Sequence, residues 1–394
     1  MGNIEDYLDW RGDIPFDVDP FNEVDNLILS ELVYTDFGDI VPGDFSHKIS
    51  IKEAHEKFFA THTEEEIMNQ VSTVKVAPFI MHRLIESKRF EGLYLYGYVN
   101  DISNVDQVQF SVMTCELPDG TVYVAYRGTD NSLIGWKEDF NMSFVYETPG
   151  QKQAVLYLNQ NFKDEIRPIR VGGHSKGGNF AVFASAFCEP VIQDKIIEVY
   201  SNDGPGFRKE VLEGAGYKKI LPRVISTLPE QSVVGVLLGN QYHHRFVKSS
   251  NSGMMQHDAM SWQIKRNTFD FVENQGNNSV IMEDSLKMWL SDLDDEKRKR
   301  FVDLLFDTLM ASGANTTDEY VKNGIKSITE GMKTLKDASE EDKKLFVEVF
   351  KKLGTSIGTS TKEKIQEQLT SNVKDFMNGI IESRAEKIAE LKGE

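Results

Sequence analysis

The 394-residue chain has two cysteines, Cys115 and Cys188, too few for a disulfide framework or a cysteine-based metal site. Both lie in apolar surroundings, "SVMTCEL" and "FASAFCEP", and are expected to be buried and reduced. No stretch stays apolar for long enough to cross a bilayer. The start, "MGNIEDYLDW", lacks the basic and apolar regions of a secretory signal, so the expected location is cytoplasmic. Positive charge is also scarce: 62 Asp and Glu stand against 44 Lys and Arg, a formal net charge of −18. Residues 1–45 hold twelve acidic residues and one basic residue, Arg11, and no basic stripe with interleaved aromatics follows. Such a chain repels phosphate backbones and anionic lipid, which excludes nucleic-acid binding as a main role.

What is present is the composition of a soluble globular protein, 40% hydrophobic and 27% charged. The length suits one large domain with an appendage. "DPFNEVDNLILSELVY" (19–34) sets Val24, Leu27, Ile28, Leu32 and Val33 at helical spacing behind Asp and Asn caps, and residues 51–90 read as further helix. From residue 92 the texture turns to strand. "QVQFSVMTCEL" and "TVYVAYRGT" (121–129) flank the turn Pro118-Asp119-Gly120 as an antiparallel hairpin. Beyond it, helical "KQAVLYLNQNF" and "KGGNFAVFASAFC" alternate with strands at 169–173, 195–203 and 219–227. That alternation predicts an α/β fold with a mostly parallel sheet flanked by helices.

"NQGNNS" (274–279) is a linker candidate that divides a domain over 1–273 from a helical extension over 280–394. The extension carries amphipathic patterns at 285–312, 340–357 and 362–391. They predict a small helical bundle or a helical arm packed on the main domain, or helices that pair with a partner or a second copy.

The stretch "VGGHSKGGN" (171–179) contains Gly173-His174-Ser175-Lys176-Gly177, a G-x-S-x-G pattern. It falls between a short strand and an apolar helix, where a nucleophile elbow places its serine on a strained turn flanked by small residues. Neither phosphate-loop pattern, G-x-G-x-x-G or G-x-x-x-x-G-K-[ST], is present. A serine nucleophile needs a base, and the order Ser, acid, His leaves His243, His244 and His257. His257, in a loop after the last strand, is favoured. Asp203 ("YSNDGPGF") and Glu230 ("ISTLPEQSVVG") are level candidates for the acid. Oxyanion donors are expected from the Lys176 N–H and from Thr129 in "YRGTDNSLIGWKEDF". Arg127 and Asp139 are expected to brace that loop, and the Lys176 side chain to be solvated.

With those residues in hand, the chain resembles the class 3 lipase branch of the α/β-hydrolases. "VAYRGT", a Trp-x-x-Asp element at Trp136-Lys137-Glu138-Asp139, and "GHSKGGN" come in that branch's order. It resembles the bacterial Mbeg1-like family more closely, through "YLDWRGDIPFDVDPFNEVDNLILSELVY", "SNDGPGF", "PEQSVVGVLL" and "QHDAMSWQI". The resemblance implies an α/β-hydrolase fold and a serine hydrolase mechanism, with Ser175 as nucleophile and His257 as base. Class 3 lipases carry their acid as the Asp of "D-x-V-P"; this chain has "PEQSVVG" there, with no Asp.

The resulting expectation is an esterase or lipase-like hydrolase acting on a small acyl ester or lipid, with no metal and no organic cofactor. Residues 233–238 and Met254-Met255 are acyl-pocket candidates. Two alternatives stay open. One is a binding or regulatory protein on an impaired hydrolase scaffold, working through its helical tail. The other is an acyltransferase or thioesterase with the same triad.

Overall fold

Asn22 caps the helix that follows it with its side-chain oxygen, and Asp25 returns the bond to the Asn22 N–H at 2.9 Å. This capping box fixes where the helix starts. In the computed structural model the described residues are 2–70, 72, 74–103, 108–130, 132–276 and 293–356. They fall in two compact units, Met1–Val280 and Ile281–Glu394.

The first unit opens with helices α1 (Ile4–Arg11) and α2 (Glu23–Leu32), strand β1 (Ile49–Ser50), and helices α3 (Ile51–Thr61), α4 (Glu64–Met68) and α5 (Ile80–Leu84). Strands β2 (Tyr94–Ser103), β3 (Val108–Glu116) and β4 (Val122–Tyr126) follow as antiparallel neighbours. Next come α6 (Leu133–Asn141), α7 (Pro149–Asn161), β5 (Ile169–His174) and α8 (Lys176–Phe187). Strands β6 (Ile196–Asn202), β7 (Val224–Pro229), β8 (His244–Val247), β9 (Ile264–Lys265), β10 (Thr268–Phe269) and β11 (Phe271–Val272) complete the unit. Among the described residues the main sheet has nine strands in the order β1-β2-β3-β4-β5-β6-β7-β8-β11, parallel from β4 to β8. Antiparallel strands edge a parallel centre whose helices cover both faces, and β5 feeds α8 through a tight turn. This is an α/β-hydrolase fold.

The pleat sorts β4 between two cores. Tyr123 and Ala125 face the layer built from α1, α2 and α3, while Val122, Val124 and Tyr126 face α7 and α8. Cys115 and Cys188 are free and buried, one in each core, and burial pushes both thiols up from their usual range. The stretch 219–227, expected as one strand, divides. Lys219 and Ile220 end a helix (Ala215–Ile220), Leu221–Arg223 form a 3-10 turn, and β7 begins at Val224. Pro222 has no N–H for a ladder, and Tyr217 and Ile220 are buried as the inner face of the helix.

In the second unit the described helices are Asp295–Met310, Thr317–Asn323, Ile325–Asp337 and Glu340–Ser356. Phe301 meets Phe346 at 5.6 Å between ring centres, and Arg300 bridges to Glu341 and Asp342. Ile325, Ile328 and Met332 stay exposed on the third helix. The pattern predicted for 362–391, and half of the linker candidate (277–279), lie outside the described residues. Among the described residues no helix is long and apolar enough to cross a membrane.

The N-terminal helices are tied in by one buried ion pair. Arg89 grips Asp25 through Nε (2.7 Å) and Nη2 (2.5 Å), and also donates to the carbonyls of Ile14, Asp19 and Pro20. Both side chains are fully buried. Removing one partner of such a pair strands the other charge, which costs about 3–5 kcal/mol. Arg89→Leu is therefore expected to destabilise the protein by about that amount. A urea midpoint close to wild type at pH 7 would contradict this.

Candidate active site

Ser175 stands between β5 and α8 with φ 57° and ψ −132°, a conformation that side-chain-bearing residues rarely adopt. Its N–H donates to Asn202 O at 2.8 Å and its carbonyl accepts from Gly178 N–H at 2.9 Å. The turn closes only because Gly173 and Gly177 lack side chains. A Cβ on Gly173 would strike the Gly177 carbonyl and Tyr126 O, and one on Gly177 would strike Tyr126 O. The hydroxyl is thereby raised over the N-terminal end of α8.

Three side chains meet there. Ser175 Oγ lies 2.9 Å from His257 Nε2, and His257 Nδ1 lies 2.6 Å from Asp203 Oδ2. A carboxylate oxygen accepts, so Nδ1 carries the proton and Nε2 turns a lone pair to the serine hydroxyl. Asp203 is fully buried, and His257 keeps 27% of its side chain exposed, so the imidazole reaches the surface while its partner stays dry.

Asp203 follows β6 with φ 48°, and its N–H donates to Thr227 O on the adjacent β7. Its second oxygen accepts from Ser232 Oγ–H and from Gly235 N–H. Ser232 and Gly235 belong to "PEQSVVG", so the loop that lacks an acid supplies the donors that hold one. The structure does not bring Glu230 to the imidazole. Its N–H donates to Val247 O, its carbonyl accepts from Gly276 N–H, and its carboxylate makes no hydrogen bond or ion pair among the described residues. His244 pairs with Ser226 Oγ at 2.8 Å, and His243 is exposed, so neither of the other two candidates reaches Ser175.

His257 ends a 3-10 turn, Gly253–His257, held by buried Gln256. Gln256 accepts from Gln231 N–H and donates to Asn251 O, and its carbonyl receives Trp262 Nε1–H at 2.9 Å. Of the acyl-pocket candidates, Met255 is exposed and Val236 is buried.

Of the two expected oxyanion donors, Lys176 directly follows Ser175, and Thr129 follows Gly128, where an added Cβ would lie 3.0 Å from Ser175 Cβ. Neither the Lys176 N–H nor the Thr129 N–H has an acceptor among the described residues. The Thr129 hydroxyl is committed elsewhere, donating to Asp139 Oδ2 at 2.7 Å. The expectation of a solvated Lys176 side chain is overturned. It is fully buried, with Nζ 3.1 Å from Glu138 Oε2 and 3.0 Å from Gln109 Oε1. A buried ammonium needs a counter-charge, and the WKED segment provides it: Asp139 Oδ1 also lies 4.0 Å away. Burial pushes the Asp139 carboxyl up to about 6, with Lys176 and the Thr129 hydroxyl pulling it back. Arg127 donates to Asn100 at 3.0 Å and faces Asp130 at 3.5 Å.

Sequence reasoning missed a second buried group, on the opposite side of the elbow. His174 Nε2 lies 2.8 Å from the carbonyl oxygen of His257. His174 Nδ1 lies 3.3 Å from both Tyr34 Oη and Glu31 Oε1. The order Ser, acid, His points only to histidines after Ser175, and nothing local in the sequence marks a histidine whose partners are a main-chain carbonyl and two residues of the N-terminal region. Among the described residues no cluster of three or more His, Cys, Asp or Glu side chains could hold a metal ion.

Comparison with known proteins gives one family and several distant structures. The profile of the Mbeg1-like family matches residues 84–307. The crystal structure of M37 lipase is similar at 14% identity and a TM-score of 0.36, over 55% of this chain and 70% of that one. A fungal lipase–inhibitor complex is similar at 16% identity and 0.28, over 39% and 67%. The native propeptide complex of Rhizomucor miehei lipase is similar at 15% identity and 0.32, over 48% and 65%. No curated protein matches the chain.

Burial raises Glu31 from the ordinary carboxyl value of 4.5 to about 8, with nearby Asp258 adding to the rise. Between those values the folded chain keeps a proton that the unfolded chain has released. The neutral carboxyl's contribution to stability is thus full at low pH and is lost as pH climbs toward about 8. Glu31→Gln has nothing to titrate there. Its stability relative to wild type is expected to rise steadily from about pH 5 to pH 8, by a few kcal/mol in urea melts. A pH-independent difference between the two would contradict this assignment.

Proposed function

The chain belongs to the Mbeg1-like family, and from that premise we propose that it is a serine hydrolase cleaving carboxylic esters through an acyl-enzyme on Ser175. The observation that carries the reading is the unbroken chain from Asp203 through His257 to a serine held in a strained turn.

Ser175 Oγ attacks the ester carbonyl carbon while its proton passes to His257 Nε2. The imidazolium so formed is stabilised by Asp203, which is oriented by Ser232 and Gly235. Negative charge on the former carbonyl oxygen is met by the N–H groups of Lys176 and Thr129, each such donor contributing roughly 3–4 kcal/mol. The tetrahedral intermediate collapses, the carbon–oxygen bond to the alcohol breaks, and His257 returns its proton to the departing oxygen. Water then attacks the acyl-serine, with His257 as base again, and releases the carboxylic acid. The rival reading as an impaired scaffold took its support from the missing class 3 acid, and Asp203 in contact with His257 removes that support. Thiol esters and acceptor alcohols would enter by the same acyl-enzyme, so substrate panels decide among esterase, thioesterase and acyltransferase.

A fluorophosphonate probe is expected to add once to wild type and not to Ser175→Ala, read by intact mass. With p-nitrophenyl esters, Asp203→Asn is expected to lose about 10⁴-fold in kcat through the wrong imidazole tautomer. Glu230→Gln should stay within about twofold, since its carboxylate contacts none of the three groups. The opposite ranking of these two variants would move the acid to Glu230, and a folded wild type that never labels would defeat the hydrolase reading.

A further inference from the structure

His174 precedes the nucleophile and is itself buried, with 5% of its side chain exposed. Its Nε2 faces the main-chain oxygen of His257 at 2.8 Å, and the two rings lie 4.7 Å apart. A carbonyl only accepts, so Nε2 must carry the hydrogen, and in a neutral ring Nδ1 is then a bare lone pair. The groups around Nδ1 are the right ones to donate to it. Tyr34 Oη hydrogen-bonds Nδ1 at 3.3 Å, and Glu31 Oε1, at the same distance, is buried with no hydrogen-bond partner among the described residues. Burial keeps the Glu31 carboxyl protonated up to about 8 and, together with His257, holds His174 well below its usual range. A protonated acid and a neutral imidazole can sit side by side here without separating charge. Tyr34 also packs on the oxyanion loop. A Cβ on Gly128 would strike its hydroxyl, and the same Cβ would crowd His174 O and Ser175 Cβ.

We propose that Glu31, Tyr34 and His174 are positioning residues: helix α2 and the residues just past it, acting through His174, clamp the main chain at His257 and so aim its imidazole between Asp203 and Ser175. None of the three touches the reacting atoms. The inference rests on the hydrolase reading for its catalytic consequence, though the clamp itself does not. It also makes residues 23–34, upstream of the stretch that matches the family profile, part of the active site.

The test uses the full chain with His174→Ala, His174→Gln and Glu31→Leu. Three readouts run together: the rate of fluorophosphonate addition to Ser175, kcat and KM for p-nitrophenyl acetate, and the hydrogen-bonded Nδ1–H proton of His257 in histidine-labelled NMR spectra. His174→Ala is expected to lose about 10²-fold in kcat and in labelling rate, as misaimed catalytic groups do, with KM within about twofold. The His257 proton should broaden or vanish in that variant. His174→Gln, which returns a side-chain N–H, should recover most of the loss at an equal melting temperature. Glu31→Leu should fall between wild type and His174→Ala. The clamp is refuted if folded His174→Ala keeps wild-type labelling and the wild-type His257 proton, or if His174→Gln folds as well as wild type and restores neither. If His174→Ala does not fold, His174→Gln and Glu31→Leu still decide, because indifference of the His257 proton to both would refute the clamp. A wild type that never labels, yet loses its His257 proton in His174→Ala, would sink the hydrolase reading and leave the clamp standing.

Discussion

The geometry around Ser175 depends on one unfavourable backbone conformation. Holding Ser175 at φ 57° and ψ −132° costs of order 1–3 kcal/mol, and such a turn persists only where its surroundings over-determine it. Here they do so from three sides. Asn202 O takes the serine N–H, β5 is locked between β4 and β6, and α8 starts at once so that Gly178 can bond back to Ser175 O. Once the turn is fixed, its neighbours have little choice. His174 and Lys176 leave the chain on opposite sides of the elbow, and both are driven into the protein rather than toward water.

That geometry explains why buried polar groups gather around the serine. On one side Lys176 meets Glu138, whose carboxylate also accepts from Gln109 N–H and Gly150 N–H. On the other side His174 meets Glu31 and Tyr34. Against well-packed apolar side chains, a buried ion pair gains little stability, because desolvation offsets most of the attraction. What it gains here is direction. Lys176 ties the first residue of α8 to the helix carrying Asp139, and Asp139 holds the Thr129 hydroxyl. The loop carrying Thr129 is thereby tied to the first turn of α8. An apolar side chain at 176 could fill the space but could not choose the orientation of WKED.

The elbow was legible in the sequence because it is local: the glycines, the strand before and the apolar helix after all fall within about twenty residues. Elimination narrowed the histidines after Ser175 to three, and the position of His257 in a loop past the last strand is what singled out the one that contacts Ser175. The hairpin around Pro118–Gly120 and the alternating β5-α8-β6 pattern were local as well, and the sheet has them. What could not be read is set by partners far along the chain. Lys176 is charged and looks like a surface residue until Gln109 and Glu138, 67 and 38 positions away, are brought to it. His174 reads as motif filler until α2 arrives from the other end of the domain. The expected strand at 219–227 failed for a local reason: Ile220 suits a helix face as well as a strand, and Pro222 settles the matter only once the ladder's need for an N–H is considered.

The Asp203–His257 contact shows how a carboxylate on either of two neighbouring strands can reach one imidazole. β6 and β7 run parallel with Asn202 opposite Thr227, so their carboxyl ends open onto the same edge of the sheet. A carboxylate leaving either end can reach an imidazole hung over that edge, provided the loop between strand and imidazole is shaped for it. Asp203 meets this condition by taking a positive φ immediately after β6, which aims a short side chain at His257 without a loop of its own. The loop after β7 carries the groups that donate to Asp203 instead. Ser232 and Gly235 close on Asp203 Oδ1 while Oδ2 is left to His257, so each oxygen has a separate role. An acid at 230 would need that loop for itself, with no second loop to orient it. A short aspartate on the earlier strand, with its donors on the later one, divides the task between two elements whose spacing the parallel ladder already fixes.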